Sequence, residues 1–268
     1  MTDPILFDTP EKGVLRMTLN RPDVLNALNW DIYTALLGKL EEVRADPDVR
    51  VVILTGTGRG FCSGHDLKSA GPFPHAREGL GKPYANRQGM LWLNRIPLAM
   101  RTLPQPILCA VNGTVAGVGY TLAMASDMCI AVRGAKFINT IHNAATGAEF
   151  GLSYLVSKAV GSQRAAEILL TARPVEAEEA ERIGLILRAV EPDGLMDEAL
   201  TIARGIMVNV PLGVWLTKQS LWLNQSAGSL EAAIELENRA VMIAQSTEDA
   251  KEKRQSFWEK RAPNFTLT

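Results

Sequence analysis

Apolar and polar residues alternate with period two from Val14 to Leu19, with Val14, Arg16 and Thr18 on one side and Leu15, Met17 and Leu19 on the other. That period predicts a strand, stopped at Arg21-Pro22. After Asn29, an N-cap residue type, the period lengthens: Ile32, Leu36, Leu40 and Val43 share one face with Leu37 beside them, which predicts a helix. Val49 to Gly56 is a nearly continuous β-branched run and predicts a buried strand. "PILCAVNG" (106–113) and "MCIAVRGAKF" (128–137) read as two more buried strands, flanking a glycine-rich turn and a short helix from Tyr120 to Ser126. Strand, turn, helix and strand thus recur in the order already met upstream. Between Ser69 and Gly89 there is no period, only Gly and Pro in quantity, which predicts a long loop that shapes or covers a substrate.

Beyond Gly151 the helical period dominates. It predicts helices at Tyr154–Val160, Arg164–Thr171, Ala177–Ile183, Leu195–Val208, Leu212–Leu223 and Leu230–Ala244, with one short strand, "LILRAV", at 185–190. The tail "DAKEKRQSFWEKRAPNF" is charged. No exact internal repeat and no clean linker is present, and the composition shift near Gly205 is the best boundary, dividing 1–204 from 205–268.

Composition narrows the function classes. The 268 residues suffice for one large domain or a domain with an appendage. With 28 Lys plus Arg against 29 Asp plus Glu, the net charge of -1 gives no reason to expect nucleic acid or an anionic membrane as partner. Cys62, Cys109 and Cys129 are odd in number, far apart and set in apolar segments, and they read as buried thiols of a reducing, cytoplasmic compartment. The N-terminus lacks a basic start followed by an apolar stretch, and no run approaches about 18 apolar residues. His65, His75 and His142 are the only histidines, so no metal site is expected.

Familiar motifs fail on their letters. "GTGRG" (56–60) follows a strand, but Phe61 and Cys62 stand where a dinucleotide fingerprint needs its last spacer and glycine. No Gly-Lys-Ser/Thr is present for a phosphate loop, and Ser63 lacks the G-x-S-x-G of a hydrolase elbow. What remains is a pair of turns, "RGFCSGHDLKS" and "NGTVAGVGYTLAMASD", each after a strand, the second opening a helix. Backbone N–H groups at such turns can converge on an oxyanion, worth about 3 kcal/mol per donor. Equally, the glycines can serve only to let helix approach strand.

The blocks "NRPDVLNAL", "VVILTGTGRGFCSGHDLK", "QPILCAVNGTVAGVGYTLAMASD", "AEILLTARPVEAEEAERIGLILRAV" and "SFWEKRAPNF" stand in the order and spacing of one family. Through them the chain resembles the crotonase (enoyl-CoA hydratase/isomerase) superfamily over essentially its full length. The resemblance implies an α/β spiral of β-β-α repeats in 1–204 and a C-terminal helical trimerisation region in 205–268. It also implies homotrimers or homohexamers and acyl-CoA thioester substrates, with no cofactor beyond the CoA of the substrate. By matching letters, the thioester oxygen falls to the backbone N–H groups of His65 and Val118, the latter held by Gly117. Val118 replaces the glycine most common there, and its β-branch narrows the backbone and pocket. CoA contact is implied for Val24, Ala27, Ser63, Asp66, Leu67 and Lys68, and for Phe257 and Lys260, often from a neighbouring subunit.

Both glutamates of the family's hydratases are missing, since Thr121 and Ile141 stand in their places. Glu149, beside Ala148, Phe150 and Gly151, matches instead the single acid of the family's isomerases and the nucleophile position of its aryl-CoA dehalogenases. One carboxylate suffices for a proton shuttle, and apolar neighbours raise its pKa toward working pH. His142, Asn143 and Tyr154 are further polar neighbours, while Asp127 has a structural role. The resulting expectation is an enzyme that isomerises, or atypically hydrates, an enoyl-CoA. Thioester hydrolysis or displacement through Glu149, and non-catalytic acyl-CoA binding, are the alternatives. Met90, Trp92 and the loop at 69–89 are expected to shape the acyl pocket.

Overall fold

The computed structural model describes residues 3–69, 71–140 and 147–268. The spiral is visible in how strands are dealt to two sheets. A six-stranded sheet has the order β1 (Ile5–Glu11), β2 (Val14–Leu19), β3 (Val51–Gly56), β5 (Ile107–Val111), β7 (Met128–Val132), β10 (Arg188–Val190). A four-stranded sheet holds β4 (Gly60–Cys62), β6 (Thr114–Ala116), β8 (Lys136–Ile138) and β9 (Val175–Glu176). Each turn lays one strand in the large sheet, the next in the small one, and closes with helix. β3 and β4 precede α2 (Lys82–Leu93) and α3 (Arg95–Thr102), and β5 and β6 precede α4 (Val118–Ala125). β7 and β8 precede α5 (Leu152–Val160) and α6 (Ser162–Thr171). β1 runs antiparallel to β2 and β9 to β8; the other pairings are parallel.

Parallel strands are covered on both faces and therefore carry continuous apolar runs. β3 and β5 are buried along almost their whole length. Tyr33, Leu36 and Leu40 of α1 (Trp30–Ala45) join the same core as Val52, Leu54 and Leu108. Asn29 caps α1 as expected, its side chain accepting from the Ile32 N–H at 3.1 Å. The three cysteines are free and buried.

Several boundaries differ from the sequence expectation for physical reasons. β1 escapes notice because Asp8, Thr9 and Pro10 interrupt an edge strand that is mostly exposed. "MCIAVRGAKF" is two strands in different sheets, broken at Arg133–Ala135 where Gly134 takes φ +75°. "LILRAV" pairs only from Arg188. The expected loop at 69–89 ends early, because α2 begins at Lys82. Pro83, read as a breaker, lies in the first helical turn, where its missing N–H costs nothing. The short helix starts at Val118, two residues before Tyr120, so that Val118 is its first residue.

After α7 (Ala177–Arg182) and α8 (Leu195–Met207), the chain continues as α9 (Pro211–Asn224), α10 (Leu230–Gln245) and α11 (Glu248–Glu259). α10 has no buried residue, and Leu230, Val241 and Met242 are among its exposed apolar side chains.

Candidate active site

The two glycine turns meet. A Cβ on Gly64 would lie 3.2 Å from the Ala116 carbonyl oxygen and 3.4 Å from both the Gly117 Cα and the Val118 nitrogen. Gly64 has φ +97° and Gly117 has φ +53°, ψ -125°, conformations that a side chain strains. Close approach and positive φ thus fix both glycines for the same purpose, bringing residue 65 beside residue 118.

Hydrogen bonding leaves these two amides free. Leu28 pairs with His65 in a parallel bridge, donating to the Gly64 carbonyl and accepting from the Asp66 N–H, at 2.8 and 2.9 Å. In that pattern the bonds go to the residues flanking His65, so its own N–H points away from Leu28. Val118, as the first residue of α4, has no intrahelical acceptor. Neither amide donates to another group among the described residues. Two unspent donors side by side, one at a helix N-terminus, suit an oxygen that gains negative charge.

The turn after β4 is braced by Asp66. Its carboxylate accepts from Arg21 at 2.8 Å, from the Lys68 N–H at 3.1 Å, and from both the N–H and the hydroxyl of Ser69. These bonds hold the Asp66 carboxyl well below the usual carboxylate range, the Ser69 hydroxyl contributing most. The expected ligand-contact role thus falls on a side chain whose oxygens are already engaged. Ser63 Oγ donates to the Val24 carbonyl at 3.2 Å, tying that turn to the Pro22–Val24 turn. Ala27 is buried, whereas Val24, Leu67 and Lys68 are exposed beside one another in the chain fold. Phe257 and Lys260 are exposed at the end of α11, where the Phe257 ring contacts Trp258.

The His65 imidazole is held by a hydroxyl that the sequence reading did not single out. Tyr33 Oη lies 3.2 Å from His65 Nδ1, and the two rings stack with 17° between planes. Burial pushes the Tyr33 hydroxyl far up, with the neighbouring Cys62 and Glu149 adding to it, so it stays protonated. Burial likewise lowers the His65 pKa, keeping the ring neutral at pH 7. Tyr33 lies on the buried face of α1, where a hydroxyl needs a partner; that need was the available signal. Trp92 joins Trp30 and Phe73 in an aromatic cluster at 5.1–6.1 Å between centroids, as expected of the segment shaping this side.

Glu149 stands just before α5. Phe150 at φ +54° and Gly151 at φ +80° turn the chain sharply between it and the helix, and its carbonyl accepts from the Leu152 N–H. Its carboxylate has no hydrogen bond or ion pair among the described residues. Burial alone raises its pKa. The carboxylate lines a cavity of about 1170 Å³ that also meets Met90, Tyr154 and Arg101. His65 and Val118 are not on that wall. Thr121 is buried in α4 and supplies no acid. Ile141, His142 and Asn143 lie outside the described residues. Asp127 is structural, as expected: Oδ1 accepts from Trp222 Nε1 and Oδ2 from the Ile107 N–H, each at 2.7 Å, with Lys218 Nζ also at 2.7 Å. Among the described residues, no cluster of three metal-ligand side chains occurs.

Known proteins are similar to this chain over most of its length. Residues 9–267 match the family described as Enoyl-CoA hydratase/isomerase. The chain is 42% identical over 264 residues to the probable enoyl-CoA hydratase EchA12 of Mycobacterium tuberculosis, covering 98% of this chain and 92% of that protein. A solved probable enoyl-CoA hydratase/isomerase from Mycobacterium abscessus superposes with a TM-score of 0.91 at 36% identity, over 98% of each chain. A monofunctional enoyl CoA isomerase from M. smegmatis superposes with a TM-score of 0.73 at 39% identity, over 87% of this chain and 99% of that one. With its strands dealt into a β-β-α spiral and a match over nearly all its length, the chain belongs to the enoyl-CoA hydratase/isomerase family, the crotonase superfamily, and is an enzyme of that family.

Proposed function

We propose that this enzyme moves the double bond of an enoyl-CoA thioester between the β,γ and α,β positions, with Glu149 as its one acid/base. The carrying observation is Glu149 itself, a half-buried carboxylate on the wall of a large cavity with no partner among the described residues, while Thr121 leaves the α4 position without an acid. The Glu149 carboxylate takes a proton from the α carbon, and the electron pair moves into a dienolate whose oxygen accepts from the His65 and Val118 N–H groups. Protonated Glu149 then returns the proton at the γ carbon, giving the conjugated thioester and the original carboxylate. Mass and charge balance without water or cofactor. A partly desolvated carboxylate is the stronger base, which suits a weakly acidic carbon.

CoA lies, on this reading, along the exposed turn containing Val24, Ser63, Leu67 and Lys68, with Ala27 beneath it. Phe257 and Lys260 reach CoA from a neighbouring subunit, because their own chain leaves both side chains exposed. The apolar faces of the helical region 205–268 then serve a homotrimer or a pair of trimers.

The test is product analysis on a panel of 2-enoyl- and 3-enoyl-CoA esters of varied chain. Isomerisation leaves the mass unchanged and shifts the double bond. Gain of a water shows hydration, free CoA shows hydrolysis, and an unaltered panel with tight binding shows a non-catalytic binder; each of these three contradicts the proposal.

A further inference from the structure

The cavity beside Glu149 is also lined by a cation that makes no ion pair among the described residues. Arg101 stands in the last turn of α3 and lines the cavity, its guanidinium carbon 3.5 Å from the centroid of the Trp222 ring on α9. Its one hydrogen bond runs from Nη2 to the Met124 carbonyl. Nε and Nη1 are shielded from water and have no hydrogen-bond partner among the described residues.

Apart from Glu149, the other charged groups on the same wall are committed elsewhere. Both oxygens of Asp127 are taken by Trp222, Ile107 and Lys218. Glu181 accepts from the Ala189 N–H at 3.2 Å, and Lys158 Nζ donates to the Gln225 carbonyl at 2.7 Å. No carboxylate lies within ion-pair distance of Arg101 among the described residues. Burial accordingly lowers its pKa to about 10, only partly offset by Asp127. A buried cation with two unmade hydrogen bonds is costly unless an acceptor arrives. Leu98, Met124 and Leu155 provide much of the remaining wall, so the acceptor has an apolar approach.

We infer that Arg101 reads a carboxylate at the end of the acyl group remote from the thioester, so that the preferred substrates are CoA monothioesters of dicarboxylic acids. The inference rests on the acyl-CoA reading above. Thioester at the oxyanion turns, reacting carbons at Glu149 and carboxylate at Arg101 then follow one another along the acyl chain. Nε–H and the Nη1 hydrogens point to different sides of the guanidinium, so a carboxylate that reaches it after a small rotation within the guanidinium plane accepts a single charge-assisted hydrogen bond. Stacking on Trp222 keeps the guanidinium plane fixed while it does so.

The experiment measures binding, by titration calorimetry, of the intact protein to saturated dicarboxylic monothioesters of CoA at several chain lengths, to their neutral methyl esters and to free CoA. Wild type, Arg101→Met and Arg101→Lys are compared. At the length that spans the cavity, wild type should prefer the free carboxylate by about tenfold or more, the scale of a charged hydrogen bond. Arg101→Met should abolish that preference and Arg101→Lys reduce it, with free CoA binding alike in all three. Equal binding of acid and ester by wild type at every length overturns the inference while leaving the acyl-CoA reading intact. So does equal weakening of free CoA by Arg101→Met, which assigns the guanidinium to a CoA phosphate. Failure of wild type to bind CoA or any of its esters overturns both.

Discussion

At the scale of single residues, environment decides what each polar group can do. Glu149 has nothing to donate to it or neutralise it among the described residues, and burial raises its pKa, so its proton is held to higher pH than that of a free glutamate. Abstraction needs the ionised form. Activity must therefore rise with pH through that raised value and fall away below it. The acid limb of kcat/KM should have its midpoint above about 4.3, the ordinary glutamate value; a pH–rate profile on a 3-enoyl-CoA measures it, and a midpoint at or below that value contradicts the assignment. Legibility at this scale was uneven. Glu149 stood out because carboxylates are rare in apolar sequence, whereas Tyr33 was not singled out within α1. Arg101 could not be singled out at all, since its missing partners are a property of α3, α4 and α9 meeting.

At the scale of elements, the glycines around the turns do different work. Gly119 lies against Cys62 so tightly that an added Cβ would meet the Cys62 Cβ and carbonyl oxygen at 2.7 Å each. Gly38, on the exposed face of α1, has nothing within 4 Å. Gly119→Ala should therefore cost about 3 kcal/mol or more, while Gly38→Ala should be neutral or gain up to about 1 kcal/mol. Urea denaturation compares them, and a Gly119→Ala protein as stable as wild type would refute the packing. Both functions weighed for these glycines are thus in play: Gly119 admits α4 to β4, and Gly64 with Gly117 bring the two amides together. The buried strands were readable as apolar runs, as was the face of α1. The three-residue strands of the small sheet were not, because β4 and β6 are too short to display a period and pair only through distant partners.

At the scale of the whole molecule, α9 to α11 show that one chain leaves surface unfinished. α10 buries none of its side chains, and Leu221, Leu223, Leu230, Val241, Met242 and Ile243 are all more than half exposed. Apolar area of that extent calls for a partner surface. Sedimentation of the purified chain should give a trimer or hexamer, and a stable monomer at micromolar concentration would contradict it. The family was legible because five sequence blocks hold their order across the chain. The reaction was less so, since family members differ in which position supplies the acid. The most direct test of the account is thus Glu149→Gln, which keeps shape and removes the proton carrier. Turnover of a 3-enoyl-CoA should fall by about two to four orders of magnitude with acyl-CoA affinity unchanged. Turnover at the wild-type rate would contradict it.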